Sequence, residues 1–188
     1  MADAIRFAGI SGSLRKGSFN THLLNNIPSL LPVDVTMEII SITDIPLYNA
    51  DLDYPSAPDR PSAVQRFRDK LAAVHGLVIV SPEYNYSIPG GLKNAIDWAS
   101  RGENSPLLRM PVAVMGATTG MWGTVRMQLA FQAVFLYLNM KPVYKPEVLV
   151  AQASQKFDDN GNLQDEMTKD LIRKKMQALK EMIVGHRS

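Results

Sequence analysis

The sequence contains no cysteine and only three histidines among its 188 residues. The lack of cysteine excludes disulfides, zinc–thiolate sites, cysteine-ligated iron–sulfur clusters and a cysteine nucleophile. The histidines, His22, His75 and His186, lie far apart and do not have the spacing of a metal site. Any chemistry that this protein performs must therefore depend on few of the usual reactive side chains.

An excess of charge of one sign is also absent, because 20 basic and 18 acidic residues leave a formal net charge of +2. Nucleic-acid-binding proteins carry a basic face or stripe, so we predict that neither DNA nor RNA is a partner. No hydrophobic run approaches the ~18 residues of a membrane span, and the first residues do not resemble a signal peptide. We therefore expect a soluble, cytoplasmic protein that does not bind membranes.

The composition that remains is that of an ordinary folded protein, with 46% hydrophobic and 20% charged residues. A chain of this length is long enough to bury a substantial hydrophobic core. The sequence contains no internal repeat, low-complexity tract or linker-like segment. These features predict a single domain that spans residues 1–188.

Short apolar runs alternate with amphipathic helical patterns along the chain. The runs predict strands at 5–11, 36–42, 76–81, 111–117 and 144–150, and the patterns between and after them predict helices at 20–27, 61–74, 90–100, 124–139 and 165–184. Such alternation, with right-handed crossovers, predicts a flavodoxin-like three-layer α/β sandwich with a parallel sheet of strand order 2-1-3-4-5. Because ligands of such sheets bind beyond the carboxyl ends of the strands, the loops after strands one, three and four should form one site.

The loop at 11–20 has the composition of a phosphate site. It joins a buried strand to the N-terminus of a helix, where unpaired amides and the helix dipole attract anions. Ser11, Ser13 and Ser18 add hydroxyl groups, and the Arg15 guanidinium can bind two phosphate oxygens at once. Neither the P-loop nor the dinucleotide-binding pattern is present. We favour a phosphate site over the alternative, a Ser/Gly turn that only caps the helix.

The loop that begins at residue 81 suits a flat ring. Pro82 and Pro89 stiffen it, which lowers the entropy lost on binding. Tyr84 and Tyr86 provide flat apolar faces, and Asn85 provides both a donor and an acceptor for the polar edge of a heterocycle. From this loop alone, a proline-rich turn whose tyrosines only pack is an equally good interpretation.

Taken together, the two loops closely resemble those of the NAD(P)H-dependent FMN reductase family, and in particular of its bacterial chromate and quinone reductases. The matching segments are SGSLRKGSFN at 11–20 and PEYNYSIPGGLKNAIDW at 82–98, within a similarity that extends from residue 5 to about residue 150. The resemblance implies a flavodoxin-like fold with non-covalently bound FMN. It also implies a ping-pong reaction, in which NAD(P)H delivers a hydride and leaves before a quinone, azo dye, chromate or similar small-molecule acceptor enters.

The resemblance also implies which residues bind FMN. It assigns the phosphate and ribityl chain to Ser11, Ser13, Arg15, Ser18 and Asn20. It assigns the flavin ring, largely through the backbone, to Pro82, Glu83, Tyr84 and Asn85, with Thr118 and Gly120 on its other side. Because the cofactor carries the reactive atoms, we name no catalytic side chain and no metal ligand.

Two further expectations concern the surface. Arg101 could reach a nicotinamide phosphate or an anionic acceptor, although a solvated arginine at a helix end is the simpler interpretation. The resemblance implies a homodimer or homotetramer with helix 90–100 at an interface. The apolar helix 124–139, which contains Phe131, Phe135, Leu136 and Tyr137, also suits either a buried position or a subunit interface.

A flavodoxin-type electron carrier or a flavin-binding regulatory module is the alternative function. Carriers of that type tend to be acidic, whereas this chain has a net charge of +2. The charge therefore favours the reductase.

Overall fold

A computed structural model describes residues 4–185 of the chain. Its strands are β1 (Ile5–Ser11), β2 (Val35–Ile39), β3 (Gly76–Val80), β4 (Pro111–Ala117), β5 (Lys141–Pro142) and β6 (Leu149–Val150). All neighbouring strands pair in parallel, in the order β2-β1-β3-β4-β5, and β6 pairs with the carboxyl end of β4. The predicted order 2-1-3-4-5 is therefore confirmed, with β6 as an addition.

The helices are α1 (Phe19–Asn26), α2 (Ser62–Ala72), α3 (Gly90–Ala99), α4 (Val125–Leu138) and α5 (Glu166–Gly185). Residues of α1 and α5 pack in the core on one face of the sheet, and residues of α2, α3 and α4 pack in the core on the other. All five residues of β3 are buried, as expected for a central strand that is covered on both faces. The predicted three-layer arrangement is thus confirmed. No helix within residues 4–185 is long and apolar enough to cross a membrane.

The fifth strand differs from the prediction. We predicted one strand at 144–150, whereas the structure has β5 at Lys141–Pro142 and β6 at Leu149–Val150, with no strand at 143–148. Pro142 is tolerated because β5 is the edge strand, where a missing amide donor costs little. Pro146 also lacks an amide donor, so a continuous ladder through 144–150 would be interrupted there.

The strand register sets the position of the site. Ser11, the last residue of β1, lies beside Val80, the last residue of β3. Val80 in turn lies beside Met115 of β4. The loops after these three strands therefore begin at the same edge of the sheet, as the sequence predicted.

Candidate active site

The first and third loops are in direct contact. The Gly12 amide donates to the Val80 carbonyl at 2.8 Å. A Cβ atom placed on Gly12 would lie 2.7 Å from Ser81 Cβ and 2.9 Å from Leu92 Cδ2, both too close. Only glycine therefore allows the backbone of the first loop to approach the third loop this closely.

Serine hydroxyls shape the first loop. Ser11 Oγ accepts from the Ser13 amide at 3.3 Å, and Ser13 Oγ accepts from the Arg15 amide at 3.3 Å. Ser11 Oγ also lies 2.8 Å from Thr21 Oγ1. Because a hydroxyl has one donor and two acceptor positions, Ser13 Oγ keeps its proton for a ligand. The single proton of Ser11 Oγ already has acceptors within the protein, the Ser13 carbonyl at 3.4 Å and Thr21 Oγ1.

The N-terminus of α1 gives the same loop the character of an anion site. Ser18 is the N-cap residue, and its Oγ accepts from the Asn20 amide at 3.3 Å. Other amides in the first turn have no intrahelical acceptor, and the helix dipole favours an anion near them. The exposed Arg15 side chain lies over this loop, with Nη2 donating to the Gly17 carbonyl at 3.0 Å. This set of donors fits the phosphate of FMN.

Asn20 connects the first loop to the fourth. Its buried amide donates through Nδ2 to the Ala117 carbonyl at 2.9 Å, and Oδ1 accepts from the Ala117 amide at 2.8 Å. Both ends of the side chain are thus bonded to the last residue of β4. A ligand could accept only from the second hydrogen on Nδ2, so the main contact of Asn20 in the structure is with the protein itself.

The third loop forms a short β-hairpin with a two-residue turn. The Tyr84 amide donates to the Ser87 carbonyl at 3.1 Å, and the Ser87 amide donates to the Tyr84 carbonyl at 2.9 Å. Asn85 and Tyr86 between them have left-handed φ angles of 49° and 65°. This is the pattern of a type I′ turn, for which Asn-Gly is the favoured pair. Asn85 suits its position, whereas Tyr86 adopts a conformation that costs a residue with a Cβ roughly 1–2 kcal/mol.

The Glu83 side chain reaches the start of α4. Its Oε2 accepts from the amides of Arg126 and Met127 at 3.0 and 3.3 Å, and its Oε1 accepts from Arg126 Nε at 2.5 Å. The carboxylate therefore caps the N-terminus of α4, where the N-cap residue Thr124 makes no side-chain capping bond. Since the carboxylate is occupied, only the backbone of Glu83 is left to contact a flavin.

Arg126 is a site residue that sequence reasoning missed. Its guanidinium Cζ lies 3.9 Å from the centre of the Tyr86 ring and 5.8 Å from the centre of the Trp122 ring. The available signal was that Arg126 is the only charged residue of α4. A single charge on an otherwise uncharged helix often has a specific partner, but the sequence did not show that the partner was Glu83.

The fourth loop is bonded to the strand beside it. The Thr118 amide donates to the Val150 carbonyl at 2.9 Å, and the Gly120 amide donates to Thr118 Oγ1 at 3.2 Å. The Gly120 carbonyl accepts from the Gln152 amide at 2.9 Å. Two amides that were candidates for flavin contact thus bond within the protein, which leaves the Thr119 amide as the candidate donor of this loop.

Arg101 is not brought to the three loops within one chain. It follows α3, whose ten residues extend about 15 Å away from the third loop. Its Nε donates to the Asp97 carbonyl at 3.0 Å, and its Cζ lies 4.9 Å from the centre of the Tyr48 ring. In a single chain, the geometry favours an arginine at a helix end over a ligand of the substrate.

Comparisons with known proteins give a consistent result. Residues 5–155 match the family described as NADPH-dependent FMN reductase. The chain is 43% identical to an NAD(P)H-dependent FMN reductase of Pseudomonas aeruginosa, over 95% of each chain. It is 36% identical to a quinone reductase of Escherichia coli, over 97% of each chain.

Among solved structures, the chain is similar to FerB, an NAD(P)H:acceptor oxidoreductase and flavoenzyme from Paracoccus denitrificans. The TM-score is 0.85 at 29% identity, and the match covers 97% of this chain and 98% of the other. Similarity over nearly the full length of both chains includes all three loops at the carboxyl edge of the sheet.

Proposed function

The chain belongs to the NADPH-dependent FMN reductase family, and on this premise we propose that it is an FMN-containing oxidoreductase that uses NAD(P)H to reduce quinones. In the overall reaction NAD(P)H, a proton and a quinone become NAD(P)⁺ and the hydroquinone, so that two electrons and two protons reach the acceptor. The observation that carries the proposal is that the first loop, which suits a phosphate, contacts the third loop, which suits a flat ring, at one edge of the sheet. The contact is made at Gly12.

The residues present fit FMN. We propose that Ser11, Ser13, Arg15 and Ser18 hold its phosphate and ribityl chain, with Asn20 keeping the first loop in place. We propose that the ring lies against the backbone of Pro82, Glu83, Tyr84 and Asn85, with Thr118 and Gly120 on its other side. When bound, FMN supplies the atom that takes a hydride from NAD(P)H and the electrons that reduce the acceptor.

The test is anaerobic stopped-flow mixing of the FMN-loaded protein. We expect the purified protein to be yellow, NADPH to bleach it within seconds, and a quinone to restore the colour. A protein that stays colourless after incubation with FMN would contradict the proposal. Bleaching only by a separate reductase would instead support an electron carrier.

The range of acceptors is a further part of the proposal. The name of the Escherichia coli relative supports quinones, and we propose chromate and azo dyes as additional acceptors. A steady-state panel that combines NADH and NADPH with each acceptor tests this. We expect quinones to have the highest kcat/KM, and a higher value for chromate would contradict that order.

We also propose that single-domain subunits assemble as a homodimer or homotetramer in the cytoplasm, where NAD(P)H is available. On α4, Phe131 and Phe135 are buried within their own chain, whereas Leu136 and Tyr137 are 85% and 76% exposed. A second copy of the chain would cover these apolar side chains. Analytical ultracentrifugation should show an oligomer. We expect Leu136→Glu to weaken it and Lys174→Glu, at an exposed position on α5, to leave it unchanged. A native protein that sediments as a monomer would contradict this assembly, and cell fractionation tests the location.

A further inference from the structure

The backbone at the tip of the third loop is strained. Tyr86 has a left-handed φ of 65° at a position where glycine or asparagine would be relaxed. Such conformations persist only where surrounding contacts hold them, and they are concentrated at functional sites. The contacts that hold Tyr86 in this conformation therefore help to identify the function of its side chain.

One face of the Tyr86 ring is covered by the side chain of Arg126. The Arg126 guanidinium lies 3.9 Å from the ring centre, and it is held there by the Glu83 carboxylate. The Tyr86 residue is nevertheless 70% exposed. The ring is thus fixed on one side and open to a ligand on the other.

A second exposed ring approaches the same guanidinium from a different loop. Trp122, after β4, is 66% exposed, and its ring centre lies 5.8 Å from Arg126 Cζ. Two electron-rich aromatic side chains from separate loops thus converge on one cation at the carboxyl edge of the sheet. Aromatic rings that are fixed in this way stack well on flat, electron-poor rings.

The charge at this place is balanced. The ion pair between Glu83 and Arg126 leaves no net charge beside the Tyr86 ring. A small anion therefore gains little from this surface, whereas a neutral planar ring gains stacking area. The chemistry thus favours quinonoid rings over acceptors that lack a ring.

We propose that Tyr86, positioned by Arg126 and Glu83, is the surface on which planar acceptors stack, and that it determines the preference for quinones over ringless acceptors. The proposal rests on the proposed reductase function. Tyr86 contacts the acceptor, whereas Arg126 and Glu83 are positioning residues that act through it.

The test separates the two half-reactions of the FMN-loaded enzyme. In Tyr86→Asn the ring is removed, and asparagine tolerates the left-handed backbone, so the hairpin should remain folded. We expect the rate constant for reoxidation by 1,4-naphthoquinone to fall about tenfold, equivalent to about 1.4 kcal/mol. Reoxidation by ferricyanide or chromate and bleaching by NADPH should stay within about twofold. Tyr86→Phe should behave like the native enzyme, and so should Tyr54→Asn, which removes another exposed tyrosine.

Arg126→Met tests positioning, because it keeps the length of the side chain and removes the guanidinium. We expect a KM for naphthoquinone about threefold higher with an unchanged kcat for ferricyanide, and partial recovery in Arg126→Lys. An unchanged naphthoquinone rate in Tyr86→Asn would overturn the proposal, as would an equal loss for all acceptors. Failure of NADPH to bleach the native enzyme would instead overturn the proposed function, so the two failures are distinguishable.

Discussion

The first and third loops leave the same edge of the sheet, yet they are built in different ways. In the first loop, Ser11 and Ser13 bond to groups no more than ten positions away, and the left-handed position is taken by Gly17 at φ 66°. In the third loop, the left-handed positions are taken by Asn85 and Tyr86, and Glu83 bonds to a residue 43 positions further along the chain.

The difference fits the parts of the reaction that the two loops are proposed to serve. A phosphate is the same in every turnover, so a loop with a relaxed backbone, whose serine hydroxyls bond to near neighbours in the chain, is sufficient to bind it. Acceptors vary, and a surface that distinguishes among them needs a ring held in one orientation. Both loops have long-range anchors, Asn20 in the first and Glu83 in the third, but only the loop that is proposed to discriminate has non-glycine residues in the left-handed region.

The largest expected effect is that of Asn20→Ala, which removes the connection between the first and fourth loops. The amide and carbonyl of Ala117, a residue only 3% exposed, would lose their partners. We expect the free energy of unfolding in urea to fall by about 3 kcal/mol. Asn20→Asp should not restore the stability, because it keeps the acceptor for the Ala117 amide but places a buried carboxylate against the Ala117 carbonyl. Loss of FMN with unchanged stability would show that Asn20 is mainly a ligand.

Gly12→Ala breaks the contact between the two loops themselves. The new methyl group would overlap Ser81 and Leu92, and we expect a loss of about 2 kcal/mol in the free energy of unfolding. Adding Ser81→Gly should recover about 1 kcal/mol of it, as a double-mutant cycle in urea would show. Strictly additive losses would mean that the loops are not in contact.

Glu83→Gln weakens the attachment of the third loop to α4. The one oxygen of the neutral amide can still accept from the Arg126 and Met127 amides, as Oε2 does, but the side chain cannot form the ion pair with Arg126. We expect a loss of about 1 kcal/mol in the free energy of unfolding and slower reoxidation by naphthoquinone but not by ferricyanide. Glu103→Gln, at an exposed position, serves as the control. A tenfold weaker affinity for FMN would place the Glu83 carboxylate at the flavin instead.

Arg15→Ala should have the smallest effect on stability, less than about 0.5 kcal/mol, because the side chain is exposed. Its expected effect is on binding, since the Kd for FMN should rise about tenfold in fluorescence titrations. Lys16→Ala, which changes the neighbouring exposed residue, should leave the Kd within about twofold. Equal effects of the two variants would indicate a general charge effect and no specific phosphate contact.

Much of the fold could be predicted because local pattern and global fold agree. The observed bounds of β1 and β4 are those expected from their apolar runs, and β3 is buried throughout. The fifth strand was wrong at 144–150 because hydrophobicity does not record where Pro142 and Pro146 remove amide donors. At the edge of a sheet, the backbone pairing with the neighbouring strand determines which residues form the strand.

The candidate site was predictable in its backbone and less so in its side chains. Loop composition and strand order predicted which loops would meet. The partner of Glu83 could not be predicted, because nothing in the loop sequence distinguishes a carboxylate that faces a ligand from one that caps α4. Asn20 presents the same difficulty, since its partner Ala117 is 97 positions away and bonds through its backbone, which has no residue-specific signal.

The support of Tyr86 by Arg126 has a consequence for transplanting this chemistry between proteins. The proposed acceptor surface is discontinuous in the chain, because the Tyr86 ring comes from the hairpin and the guanidinium behind it from the first turn of α4. A graft of residues 82–89 alone onto another flavodoxin-like sheet would carry the recognisable motif without the group that holds its ring. To transfer the acceptor preference, the hairpin and the start of α4 must be exchanged together. Among relatives with the same loop, the residue at the position of Arg126 would then be the one to compare.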